Sequence, residues 1–106
     1  MFSTAIVDIH EEEGKMEVRV RHPRLDASVA DRFKAACAAA WRPEVRELSI
    51  DLREVEFVDS TGIGALLSLY RRMPAESPRL VRLCHVRRGV RSVIELLRLQ
   101  AIFTLE

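Results

Sequence analysis

Apolar and polar side chains alternate along the opening stretch of the chain. In residues 15–21 (KMEVRVR), Met16, Val18 and Val20 take turns with Glu17, Arg19 and Arg21. That period of two predicts a strand with one buried face and one wet face. Residues 3–10 (STAIVDIH) read as a second strand, joined to it through the turn Glu13-Gly14. His22-Pro23 then breaks the pattern, because proline has no N–H to give to a ladder. Beyond it the spacing changes to steps of three and four: Val29, Phe33, Ala36, Cys37, Ala40 and Trp41 form one apolar stripe of a helix. Asp26 or Ser28 is placed to cap this helix, Ser28 with Asp31 resembles a capping box, and Pro43 ends it.

Residues 47–52 (ELSIDL) alternate again, with Leu48, Ile50 and Leu52 on one face. The segment Arg53–Asp59 reads as a loop, yet it holds Val55, Phe57 and Val58, so part of it must turn inward. A helix beginning near Ser60 carries the stripe Ile63, Leu66, Leu67, Tyr70 and Met73, and Pro74 and Pro78 stop it. Residues 79–84 (RLVRLC) read as a strand with Val81 and Leu83 inward and Arg82 outward. Gly89 precedes a third helix with Val90, Val93, Ile94 and Leu97 inward, and Ile102, Phe103 and Leu105 close the chain as a short strand or helical turn. The order is β-β-α-β-α-β-α. Strand-helix-strand crossovers are right-handed, so successive ones in one direction put their helices on the same side of the sheet. The expected fold is α/β: a mixed, mostly parallel four-stranded sheet with an N-terminal hairpin and helices mainly on one face. A chain of 106 residues fits one domain, 1–106, with an aliphatic core, since only 6% of it is aromatic.

Charge adds one feature. Net charge is +1, but residues 1–59 hold 9 Lys/Arg against 13 Asp/Glu, while residues 60–106 hold 8 arginines against 3 glutamates. Such asymmetry fits either a polyanion partner or arginines solvated between apolar core positions. No aromatic residues interleave with them for base stacking, which disfavours direct nucleic-acid binding. Cys37 and Cys84 form no C-x-x-C pair, and His10, His22 and His85 lack metal-ligand spacing, so no metal or cofactor is expected. No basic leader with an apolar run and no stretch of 18 apolar residues occurs, so the expected location is cytoplasmic, without membrane insertion.

The most informative stretch is Val58-Asp59-Ser60-Thr61-Gly62-Ile63-Gly64, at the start of a helix. Helix N-termini expose unpaired N–H groups and favour an anion. Ser60 and Thr61 bring hydroxyls there, and Gly62 and Gly64 remove bulk so that a partner can approach. The plain alternative is that Asp59 or Ser60 merely caps the helix and the glycines fit a tight corner. Against it stands the cost of two glycines in a first helical turn, about 1 kcal/mol each relative to alanine. Catalysis is not expected. The serine lies in D-S-T-G rather than G-x-S-x-G, there is no phosphate-binding G-x-x-x-x-G-K-[ST] loop, and no histidine is placed as its base unless His85 folds nearby.

The run Leu48 to Gly64, with Asp51-Leu52 leading through an apolar loop to Asp59-Ser60-Thr61-Gly62-Ile63-Gly64, resembles the signature of STAS domains, most of all bacterial anti-sigma factor antagonists. Leu25-Asp26 matches the family's Leu-Asp element, and Leu96-Leu97 through Ile102-Phe103 its closing helix and tail. Pro23 stands where the family usually has glycine, so the turn beside Asp26 is expected to differ. The resemblance implies a partner switch, with Ser60 phosphorylated by a serine kinase of the histidine-kinase-like ATPase type that doubles as anti-sigma factor. A PP2C-type phosphatase reverses the mark. It places Asp26, Asp59, Thr61, Gly62 and Gly64 at the partner-binding surface. A second implied role is that of an unphosphorylated STAS subunit of an ABC lipid-transport system.

Overall fold

The computed structural model describes residues 2–75 and 79–106. Its centre is a six-stranded sheet in the order β1 (Phe2–Ser3), β2 (Val7–Glu12), β3 (Lys15–Val20), β5 (Glu47–Asp51), β7 (Leu80–Cys84), β8 (Thr104–Leu105). β2 pairs antiparallel with both β1 and β3, and every later pairing is parallel. A second, two-stranded ladder joins β4 (Arg24–Leu25) to β6 (Phe57–Val58). Each of the four expected strands has a counterpart, in β2, β3, β5 and β7. Short β1 and β8 extend the sheet at its edges, and β4 and β6 are additions that the alternation of longer runs does not reveal.

Register makes the two faces. Ile9, Val18, Ile50, Leu83 and Leu105 pair in one row across five strands. Asp8, Arg19, Asp51 and Cys84 pair in the adjacent row on the opposite face. The apolar face is covered by α1 (Ala30–Ala40), α2 (Ser60–Arg72) and α3 (Arg88–Leu96). Phe33 and Cys37, Ile63, Leu66 and Leu69, and Val90 and Ile94 enter one core from the three helices. The polar face needs no cover, because ion pairs lace it: Glu47 meets both Lys15 and Arg82, and Arg82 also meets Glu106.

Local chemistry explains where the elements begin and end. The β2–β3 hairpin turns on Glu13 and Gly14, at φ 53° and 81°, and left-handed geometry at both central residues matches the twist of the strands. A side chain at Gly14 would also strike the Glu44 carbonyl oxygen, 2.7 Å from an added Cβ. Residues 3–10 are not one strand. Thr4 accepts from the N–H groups of Ile6 and Val7, which folds β1 back on β2. The expected capping box does not form: Ser28 spends its hydroxyl on Asp26, Asp31 pairs with Lys34, and α1 starts at Ala30 without a side-chain cap.

The inward stripe of α2 runs through Gly62, Ile63, Ala65, Leu66 and Leu69, leaving Leu67 and Tyr70 at its margin. Leu97, expected inside, is 50% exposed, since α3 has ended at Leu96 and no longer turns that position toward the core. Part of the segment holding Val55, Phe57 and Val58 turns inward as expected: Val55 and Val58 are buried, while Phe57 is 42% exposed, because β6 is a strand and successive side chains take opposite sides. Pro78 lies outside the described residues.

Candidate functional site

The β4–β6 ladder builds the site. Glu56 and Phe57 both donate their backbone N–H to the Pro23 carbonyl, at 2.7 and 3.2 Å. Arg24 then pairs with Phe57 and Leu25 with Val58, with Leu25 and Val58 buried and the other two outward. Because the ladder is parallel, both segments leave it at the same end, so Asp26 and Asp59 emerge side by side. Proline at position 23 serves this turn without difficulty: its carbonyl is the acceptor that matters, and the His22 ring nitrogen accepts from the Arg24 N–H at 3.1 Å.

Asp59 caps α2. Its backbone is extended (φ −112°, ψ −174°) and its carboxylate accepts from the Gly62 N–H at 2.9 Å. Ser60 and Thr61 therefore occupy the first helical positions with no capping duty, and both are exposed. Among the described residues, the Ser60 hydroxyl has no hydrogen-bond partner on the protein.

The two glycines divide. An added Cβ at Gly62 would lie 1.9 Å from the Leu25 carbonyl oxygen, so glycine lets the first turn of α2 rest against β4. At Gly64 nothing lies within 4 Å of an added Cβ. The fold thus accounts for Gly62, and only Gly64 leaves open space above the helix.

Asp26 is held firmly. It accepts from the Ser28 N–H at 3.0 Å, from the Ser28 hydroxyl at 2.6 Å and from Arg24 Nε at 2.9 Å. The Ser28 hydroxyl and the Arg24 guanidinium bring its pKa down from 3.8 to about 2. The same guanidinium lies 4.3 Å over the Phe57 ring. Arg24 and Phe57 are the site residues that the sequence reading missed; the one available signal was the i, i+2 spacing of Arg24 and Asp26 across an extended pair.

His85 does not reach the serine. Its ring sits 3.4 Å from Asp51 and 3.3 Å from Arg53, beside a cleft of 420 Å³ on the uncovered sheet face that excludes Ser60. Burial pushes the Cys37 thiol up to about 12, which leaves it without a thiolate to offer. Among the described residues no helix is long and apolar enough to cross a membrane.

Known proteins share this fold. A family model described as "Mlab, STAS domain" matches residues 7–105. An anti-sigma factor antagonist from Mycobacterium paratuberculosis is 25% identical, with a TM-score of 0.79 over 93% of this chain and 82% of that one. A STAS-domain anti-sigma-factor antagonist from Planctomyces limnophilus is 22% identical, with a TM-score of 0.79 over 98% of this chain and 91% of that one. The antagonist SpoIIAA in its unphosphorylated form is 19% identical, with a TM-score of 0.77 over 94% of this chain and 87% of that one. The Bacillus SpoIIAA in its phosphorylated form superposes with a TM-score of 0.70 at 18% identity, over 94% of this chain and 90% of that one. No curated protein is matched by sequence.

Proposed function

The chain belongs to the STAS domain family, and from that premise we propose that it is an anti-sigma factor antagonist working as a phosphorylation-controlled partner switch. In this reading the unmodified protein binds a serine kinase/anti-sigma factor of the histidine-kinase-like ATPase type and releases that factor's client. Phosphorylation at Ser60 ends the binding, and a PP2C-type phosphatase restores it. The switch operates in the cytoplasm and is not an enzyme.

One observation carries the reading: the Ser60 hydroxyl is exposed and uncommitted, because Asp59 does the capping. A phosphate adds roughly −1.5 to −2 charges at neutral pH. The N-terminal turn of α2 tolerates that charge, since its dipole and free N–H groups favour anions. The surface does not welcome it equally, since Asp59 is adjacent and Asp26 emerges beside Asp59. The mark therefore changes what docks more than how the chain folds. Thr61 and Gly64 supply the accessible surface along the helix, with Gly64 allowing close approach.

Two observations keep a second reading, an unphosphorylated STAS subunit of an ABC lipid-transport system. The matching family model carries the Mlab description, and Leu96, 82% exposed beside Leu97, gives α3 an apolar end that a permanent subunit contact would cover. Incubation with ATP and purified kinases of the stated type from the same genome separates the two. The switch requires the mass increment of one phosphate, lost in Ser60→Ala. An unmodified protein that co-purifies with an ATPase subunit overturns it.

A further inference from the structure

Arg24 occupies an unusual position for a surface arginine. It donates to Asp26 at 2.9 Å, its guanidinium covers Phe57 at 4.3 Å, and it sits one ladder pair before the point where Asp26 and Asp59 emerge. Among the described residues, no other side-chain cation pairs with Asp26, and none pairs with Asp59. Asp26 does not depend on it, because Ser28 supplies two further donors. Asp26 and Asp59 each follow the last ladder pair, Leu25–Val58, and the first turn of α2 rests against Leu25, so Ser60 and the Arg24 guanidinium belong to the same end of the ladder.

We propose that Arg24 is the internal counter-ion of the switch: Asp26 carries it while Ser60 is bare, and the phosphate takes it over when Ser60 is modified, uncovering the Phe57 ring. The assignment rests on the reading of Ser60 as the phosphorylated residue. A phosphate outbids this carboxylate for arginine by its greater charge and by offering the planar fork two oxygens, whereas Asp26 gives Arg24 only Oδ2 because Ser28 holds Oδ1. The exchange costs little, since Arg24 is half exposed and Asp26 keeps its Ser28 hydrogen bonds. Phosphorylation then alters the docking surface twice: it adds an anion, and it replaces a cation-capped aromatic ring with a bare one.

The test needs no kinase. Phosphoserine is installed at position 60 during translation, and its second ionisation is followed by phosphorus NMR, starting from an ordinary pKa of about 6. The titratable neighbours Asp26, Asp59 and His22 are unchanged in sequence in every protein compared, so the difference isolates Arg24. Arg24→Gln is expected to raise the phosphate pKa by about half a unit to one unit, a partly screened counter-ion effect. Arg24→Lys should fall between, and Arg91→Gln on α3 should change nothing. In the unsubstituted protein the Arg24 Nε–H resonance should move on phosphorylation. Superimposable titrations with an unmoved resonance overturn the assignment, even if Ser60 is phosphorylated and partners exchange. Differing titrations in a protein that no kinase modifies would overturn the proposed function and leave the counter-ion in place.

Discussion

Glycines 62 and 64 look alike in the motif and behave oppositely in the fold. Gly62→Ala drives a methyl group into the Leu25 carbonyl. It should cost about 3 kcal/mol or more, read as a lowered midpoint in urea unfolding. Gly64→Ala meets open space on a helix and should stabilise by roughly 0.5–1 kcal/mol, while weakening partner binding if that surface is where the partner lands. Asp26 offers a pH signature at the same scale. Its folded pKa is depressed from 3.8 to about 2. The stability it contributes is therefore complete above 3.8 and disappears as pH falls toward 2. Carboxyl carbon NMR should show that titration, and Ser28→Ala should move it back toward 3.8.

Elements of five residues or more were legible in the sequence because their periods repeat. Met16, Val18 and Val20 state a strand three times over, and Phe33, Ala36 and Cys37 state a helix. The pieces that build the site are too short for that. Two-residue β4 and β6 contain a single alternation each, Arg24-Leu25 and Phe57-Val58, so the pairing that brings Asp26 to Asp59 is visible only in three dimensions. The Asp59-Ser60-Thr61-Gly62 turn was legible as a capped helix start and candidate site, because cap, hydroxyl and glycine types are recognisable by identity; the Arg24–Asp26–Phe57 contacts were not, because nothing local ties a position-24 side chain to a position-57 ring. At the end of α3 the stripe misled about Leu97, since a helix that stops at Leu96 cannot aim the next residue. Ile94→Ala should cost about 2–5 kcal/mol, as for other fully buried aliphatic truncations, whereas Leu96→Gln should leave the unfolding midpoint within about 0.5 kcal/mol of the parent.

Over the whole molecule, the arginine excess of the second half is largely occupied at home. Arg82 pairs with Glu47 and Glu106, Arg87 donates to the Arg53 carbonyl, Arg91 approaches Glu95, and Arg72 and Arg79 lie over Trp41 and Tyr70. Charge there supports the fold's own surface, and the charge that the proposed switch would use, Arg24, Asp26 and Asp59, is concentrated where two short strands end and α2 begins. In the proposed function, a sheet with one laced face and one covered face would let a small covalent mark act at that end without disturbing the core. The most direct measurement is the affinity of the purified kinase/anti-sigma partner for this protein with serine or phosphoserine at position 60, with thermal unfolding recorded on both. A repulsive penalty of about 3–4 kcal/mol should weaken binding several hundred-fold while the melting temperature stays nearly the same. Equal affinities, or a phosphoserine protein that melts far below its parent, would contradict the account.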